Sequence, residues 1–251
     1  MLRYNKSSFI LSHPEVSMAY IVVEGNIGAG KSTFLQVFSK YLNAQCVCEP
    51  HEQWQDIGGE NLLEAFYQDG KRWAYTFQSY AFITRVMAQE AYAKTNTQPF
   101  QLIERSVFSD RYCFAQNAYE EGLMSKLEWE LYKEWFDWFV THRTQKPAGF
   151  IYLQTDPEVC FDRMCKRNRT EESAVPLEYL TRLHDKHEEW LITQSDIASY
   201  LHDIPVLVLD CNEGFEGNRV IQQQHVEQIA TFLENNFSLS AKETLLPQVT
   251  I

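Results

Sequence analysis

Gly25-Asn26-Ile27-Gly28-Ala29-Gly30-Lys31-Ser32 fills every fixed position of the pattern G-x-x-x-x-G-K-[ST], and nothing else in the chain constrains its fold as strongly. Glycines let the backbone curl until its N–H groups converge on phosphate oxygens. Ahead of the loop, Tyr20-Ile21-Val22-Val23-Glu24 is a β-branched apolar run that reads as a strand. Behind it, Phe34, Leu35, Val37, Phe38, Tyr41 and Leu42 recur at helical spacing over 31–43. A helix that starts at Lys31 aims its positive dipole end at the same phosphates. Lys31 then reaches the terminal phosphates, and the Ser32 hydroxyl is the Mg²⁺ ligand. A chance glycine turn would lack this strand and helix. The loop therefore specifies a nucleoside triphosphate as ligand, with ATP the expected donor, but not the group that receives the phosphate.

Further strands are expected at 45–48, 100–104, 149–154 and 205–209. Helical patterns lie near 60–69, 72–95, 126–143, 157–166, 177–200 and 218–236. Asp156-Pro157 suits a helix start, with Asp as N-cap and Pro first in the helix. Strands alternating with helices imply an α/β fold with a parallel sheet. One domain over 19–237 is expected, with a flexible leader at 1–18 and a weakly ordered tail over 238–251. The formal net charge of −12 argues against binding to nucleic acid or to an anionic membrane surface. No apolar run approaches the roughly 20 residues of a membrane-spanning helix. The six cysteines contain no C-x-x-C pair and read as reduced thiols. A cytoplasmic location is expected. Arg3 and Lys6 in an acid-poor leader leave an organellar presequence as the alternative.

In open α/β sheets ligands bind beyond the carboxyl ends of the strands. Glu49-Pro50 follows the second expected strand and Glu104-Arg105-Ser106 the third. A kinase acting on a hydroxyl gains from a base that removes the proton, and Glu49 is the candidate. Glu104 offers a carboxylate to Mg²⁺, and Arg105 a charge to steady the acceptor oxygen. Arg163, Arg167 and Arg169 form a basic knot in an acidic chain. It reads either as a lid that clamps phosphates or as a solvated helix end that complements the dipole. Gln78 and Arg85 lie seven residues apart, two helical turns, beside Phe77 and Phe82. They suit reading and stacking of a base, or simply the polar edge of a core helix. Asp56-Ile57-Gly58-Gly59 matches the D-x-x-G of a GTPase by letters only, and no N-K-x-D base reader exists.

Glu24 to Thr33, Glu49-Pro50, Trp73 to Arg85, Glu104 to Tyr112 and Arg163 to Glu172 come in the order and spacing of the deoxycytidine/deoxyguanosine kinase family, and the chain resembles that family from about residue 20 to 236. The resemblance implies a P-loop kinase fold, a five-stranded parallel sheet flanked by helices with an Arg-rich lid, and a homodimer through a helix pair. It implies phosphorylation of the 5′-hydroxyl of a deoxynucleoside, with Gly25 to Ser32 and Thr33 around the donor phosphates. Glu49 becomes the general base and Arg105 the partner of the 5′-hydroxyl, while Glu104 joins Ser32 near Mg²⁺. Tyr67 and Glu172 would hold the 3′-hydroxyl. Gln78 would bond the base, with Trp54, Leu63, Phe77 and Phe114 packed around it. Arg163, Arg167 and Arg169 would form the lid, and Glu213-Gly214-Phe215 would contact the donor base. The family often has an acid where Gly214 stands, which leaves ATP and UTP both open as donor.

Arg85 and Asp110 match the pair found in the deoxycytidine and purine deoxynucleoside kinases. An ionised Asp110 accepts from the exocyclic amine of cytosine or adenine, whereas thymine presents a carbonyl there. Thymidine is therefore expected to be a poor substrate. Two other readings compete. A thymidylate-type monophosphate kinase would want a positive charge in place of Glu49, because its acceptor is already anionic. A non-catalytic nucleotide-binding subunit would have no need of Lys31, Glu49 and Arg105 together.

Overall fold

The computed structural model describes residues 19–95 and 97–247 of the 251. The expected leader lies outside the described residues. Along the chain come β1 (Ala19–Glu24), α1 (Lys31–Phe38), β2 (Ala44–Val47), α2 (His51–Gln55), α3 (Leu62–Gln68), α4 (Gly70–Ala93), β3 (Phe100–Glu104) and α5 (Val107–Ser109). Then follow α6 (Gln116–Glu120), α7 (Lys126–His142), β4 (Gly149–Gln154), α8 (Pro157–Arg167), α9 (Leu177–His187), β5 (Val206–Asp210), α10 (Arg219–Phe237) and α11 (Ala241–Thr244). The strands form one parallel sheet in the order β2-β3-β1-β4-β5.

A parallel sheet is covered by helices on both faces, so its central strand is apolar throughout. Ile21, Val22 and Val23 of β1 accordingly have no exposed surface. On one face, Phe34 and Phe38 of α1 stack at 4.2 Å, and Phe215 meets Phe34 edge-on at 6.1 Å. A second apolar cluster, with Trp54, Phe66, Phe77, Trp129 and Tyr132, ties α2, α3, α4 and α7 into a layer over the carboxyl edge of the sheet. Because all strands run the same way, the loops after β1, β2 and β3 emerge side by side. Val23 of β1 pairs with Glu104 of β3, and Val47 of β2 with Ile103. The phosphate loop, Glu49 and Arg105 thus meet at the switch point where the chain passes from one side of β1 to the other.

All five expected strands are present to within a residue or so at each end. Two helical expectations need correction, and one helical segment was not expected. The first helix stops at Phe38, five residues short of the expected Asn43. The pattern over 177–200 breaks after a π-helical turn, Glu188–Ile192, where Gln194 and Asp196 adopt left-handed backbone angles. The segment 107–120 is helical, with a π-helical stretch at Asp110–Ala115 between α5 and α6, although no periodic pattern announced it. Asp156 does occupy the N-cap of α8, but its side chain makes no capping bond. Within the expected tail, α11 returns to the body of the protein. The amide of Asn43 donates to the Thr244 carbonyl at 2.7 Å, and Leu246 N–H to Tyr41 at 2.8 Å.

Candidate active site

The phosphate loop is held open by close packing. Gly28 has φ 82°, and a Cβ there would lie 2.1 Å from the Cys160 carbonyl oxygen of α8, so only glycine fits. The Asn26 side chain ties the loop to α9 by donating to Leu180 O at 2.8 Å. Lys31 is buried and curls back, its Nζ donating to Gly25 O (3.0 Å) and Asn26 O (2.6 Å). Burial, with Arg105 adding to it, pulls the Lys31 ammonium down to about 7. A bound polyphosphate would replace those carbonyls and restore the charge. Ser32 Oγ donates to Glu104 Oε1 at 2.8 Å, and Glu104 Oε2 accepts from Glu49 N–H at 3.4 Å. A hydroxyl and a carboxylate beside the phosphate loop are the hard oxygen donors that Mg²⁺ prefers.

Arg105 sits between β3 and α5 with φ 59°, a left-handed angle that costs a non-glycine residue on the order of 1 kcal/mol or more. Its N–H bonds Val23 O at 3.0 Å, and a guanidinium N–H reaches Gly25 O at 3.4 Å. The kink turns the side chain into the cleft, where it lies over the Phe114 ring at 4.7 Å. Ser106 next to it caps α5. Its hydroxyl accepts from Phe108 N–H at 3.2 Å and donates at 2.7 Å to Glu24, whose carboxyl burial raises to about 7.

Glu49 lies at the centre of a buried charge cluster. Arg105 Nη1 reaches both of its oxygens at 3.2 Å, and His51 Nε2 lies 2.6 Å from Oε2. Arg85 Nη2 contacts Oε1, while Arg85 Nε donates to Asp110 Oδ2 at 2.8 Å. Burial alone would raise the Glu49 carboxyl, but Arg105, Arg85 and His51 overcome it and hold the group well below the usual carboxylate range. Burial pushes Asp110 the other way, up to about 6, against the pull of Arg85.

One cleft runs from the phosphate loop past Glu49 to Asp110. It encloses a cavity of about 180 Å³ lined by both apolar and charged side chains. Trp54, Leu63, Phe77 and Phe114 line it, with Gln78 between them, fully buried and with its amide Nε2 unpartnered. Phe66 and Phe77 stack at 4.8 Å, and Trp54 fixes its ring by donating to Thr84 Oγ1 at 2.9 Å. At the opposite wall Tyr67, Glu172 and Tyr179 converge. Arg167 makes two bonds to Glu172, at 2.8 and 2.6 Å, and Arg169 lies 3.5 Å from the same carboxylate.

Some expected site residues stand elsewhere. Arg163 is not on the cleft wall, and its guanidinium donates to Asn212 O at 3.0 Å beyond β5. Glu213 and Gly214 are exposed, but the Phe215 ring packs in the core against Phe34 and Phe38. Asp56 to Gly59 form an exposed turn in which Asp56 Oδ1 accepts from Gly59 N–H, which fits no GTPase role. His51, Phe66 and Tyr179 line the cleft without having been expected there. His51 carried a signal, being two residues after Glu49 at the start of a helix. Tyr179 carried none.

A family model described as deoxynucleoside kinase matches residues 21–234. Deoxycytidine kinase 2 of Gallus gallus is 39% identical over 237 positions, covering 85% of this chain and 89% of that one. Deoxycytidine kinase of Homo sapiens is 38% identical over 250 positions, with 90% and 95% covered. Mitochondrial deoxyguanosine kinase of Xenopus laevis is 36% identical over 255 positions, with 92% and 96% covered.

Proposed function

The chain belongs to the deoxynucleoside kinase family, and from that premise we propose that Glu49 is the general base for phosphoryl transfer to the 5′-hydroxyl of amine-bearing deoxynucleosides, with ATP as donor. The observation that carries this reading is the position of Glu49. It is a buried carboxylate in the same cleft as the phosphate loop, bridged by Arg105 and by a guanidinium that also holds Asp110. The sugar hydroxyl donates to Glu49 and loses its proton there as the phosphoryl group arrives. Arg105 bonds the developing 5′-oxygen. Tyr67 and Glu172 fix the 3′-hydroxyl, and the aromatic wall of Trp54, Phe77 and Phe114 holds the base. Lys31, Arg167 and Arg169 carry the charge of the moving phosphoryl group and keep water out. Ser32 and Glu104 would hold Mg²⁺, which would supply charge neutralisation to the phosphates.

A monophosphate acceptor would bring its anion against the buried Glu49, which disfavours the thymidylate-type reading. The test is a steady-state screen of the four deoxynucleosides and their 5′-monophosphates with ATP and Mg²⁺. Deoxycytidine and the purine deoxynucleosides are expected to be phosphorylated, thymidine poorly and the monophosphates not at all. Faster use of any monophosphate than of its nucleoside overturns the assignment.

The expected homodimer has a natural surface. Leu127, Leu131, Trp135 and Trp138 of α7 recur at helical spacing, and Ile83 and Met87 of α4 lie in the same layer, all exposed. A pocket between the two helices, lined by Tyr75, Ile83, Tyr132, Trp135 and Phe139, offers a seat for a partner's side chain. An uncovered apolar face of this kind marks an interface. Trp135→Glu should convert dimer to monomer in sedimentation velocity, and an unchanged sedimentation coefficient would move the interface elsewhere.

A further inference from the structure

Arg85 divides one guanidinium between two carboxylates. Nε bonds Asp110 and Nη2 bonds Glu49, while Nη1 is buried with no partner among the described residues. Asp110 stands at the base end of the cleft and Glu49 at the sugar end, so a single side chain joins the two. The acceptor hydroxyl has to bond an oxygen of Glu49 to be deprotonated. Oε2 is held by the His51 ring, whose other nitrogen is buried without a partner among the described residues, and Arg105 spans both oxygens. Oε1 is the oxygen that can be vacated, because Arg85 has a second carboxylate to retreat to.

A nucleobase with an amine beside a ring nitrogen matches what Arg85 and Asp110 leave open. The amine donates to Asp110, and the ring nitrogen accepts from the unpartnered Nη1. Both bonds draw the guanidinium to the base end. A base without the amine loses the bond to Asp110 even where its ring nitrogen still accepts from Nη1, so the pull toward the base end is weaker and Nη2 stays on Glu49, which remains blocked and weakened by the neighbouring cation.

We propose that Arg85 couples nucleobase recognition to catalysis: a matching base withdraws it from Glu49 and frees Oε1 to receive the 5′-hydroxyl proton, so that discrimination between bases appears in the phosphoryl-transfer rate as well as in binding. Arg85 is thus a positioning residue for the base as well as a reader of the nucleobase. The inference rests on Glu49 being the general base. The basic groups facing Glu49 are Arg85 from α4, Arg105 from the end of β3 and His51 from α2. The depressed Glu49 carboxyl of the free protein fits this state, since two of these groups are permanent cations.

The experiment compares deoxycytidine with its 2-pyrimidinone analogue, which has the same sugar but no amine, in single-turnover phosphoryl transfer at saturating nucleoside. The analogue is expected to react at least about tenfold more slowly, a part of the roughly 100- to 10,000-fold that a positioned base contributes. Asp110→Asn removes the charge that Arg85 retreats to, and should bring deoxycytidine down toward the analogue's rate. Arg85→Met with Asp110→Ala should close the gap to about twofold or less, because nothing then blocks Glu49 for either nucleoside. Equal single-turnover rates for the two nucleosides on the unaltered enzyme, with the difference confined to KM, would overturn the coupling even if neither variant folds. So would a gap that survives in the double variant. Glu49→Gln separates the two ideas: near-normal transfer there would sink the general base itself, whereas an inactive Glu49→Gln with equal nucleoside rates sinks only the coupling.

Discussion

Glu49→Gln is expected to lower kcat by at least about 100-fold, the ordinary contribution of a general base, with ATP binding nearly kept. Glutamine preserves the shape and one acceptor oxygen but cannot take the proton. Glu49→Ala tests a different property. It leaves Arg85 and Arg105 buried without their shared carboxylate, although Arg85 keeps Asp110. Removing one partner of a buried ion pair costs roughly 3–5 kcal/mol, so the alanine variant should also melt at a clearly lower temperature. Initial rates, ATP titration and thermal melts on both variants separate the two effects. A Glu49→Gln enzyme of near-normal kcat would remove the carboxylate from the mechanism. The pH dependence has a definite sign. A depressed carboxyl stays ionised until the pH falls through its own low value, so kcat/KM should show no acid limb from Glu49 above about pH 4.5. The stability that Glu49 contributes is present above its unfolded-state value and is lost as the pH drops toward the folded one.

The second large effect is a change of substrate. Arg85→Met together with Asp110→Ala should raise kcat/KM for thymidine relative to deoxycytidine by at least about tenfold. Thymine brings a carbonyl and a ring N–H where Asp110 and Arg85 offer an acceptor and a donor, so both contacts are mismatched. Removing the two together avoids leaving either charge unpaired in the interior and makes room for the methyl group. Competition assays with both nucleosides present check the ratio directly. An unchanged ratio would take the pair out of base selection.

The phosphate loop and the strand ends were readable because each rests on local chemistry: a glycine pattern between a strand and a helix, and polar residues directly after apolar runs. Those signals brought Lys31, Ser32, Glu49, Glu104 and Arg105 to one place once the sheet was known to be parallel. The helical segment around Asp110 was hidden. Its first turn depends on the Ser106 cap and on Glu24, 82 residues away in sequence, and it continues through a π-helical stretch of a different period. The inward packing of the Phe215 ring was not legible, because a residue just past a strand is equally placed to face a ligand or to fold back on α1. Arg163 is four residues from Arg167 and was expected to share its task, but Asn212 draws it away from the cleft. Tyr179 reaches the site only through the packing of α9, which no short-range pattern encodes.

Where α11 docks has a practical meaning for handling the enzyme. Bonds to Tyr41 and Asn43 hold residues 244–246 beside the point where β2 begins, at the amino ends of the strands, whereas Glu49 and the phosphate loop follow their carboxyl ends. A probe or surface linkage attached at residues 244–246 therefore starts away from the cleft, and turnover at a surface should match turnover in solution.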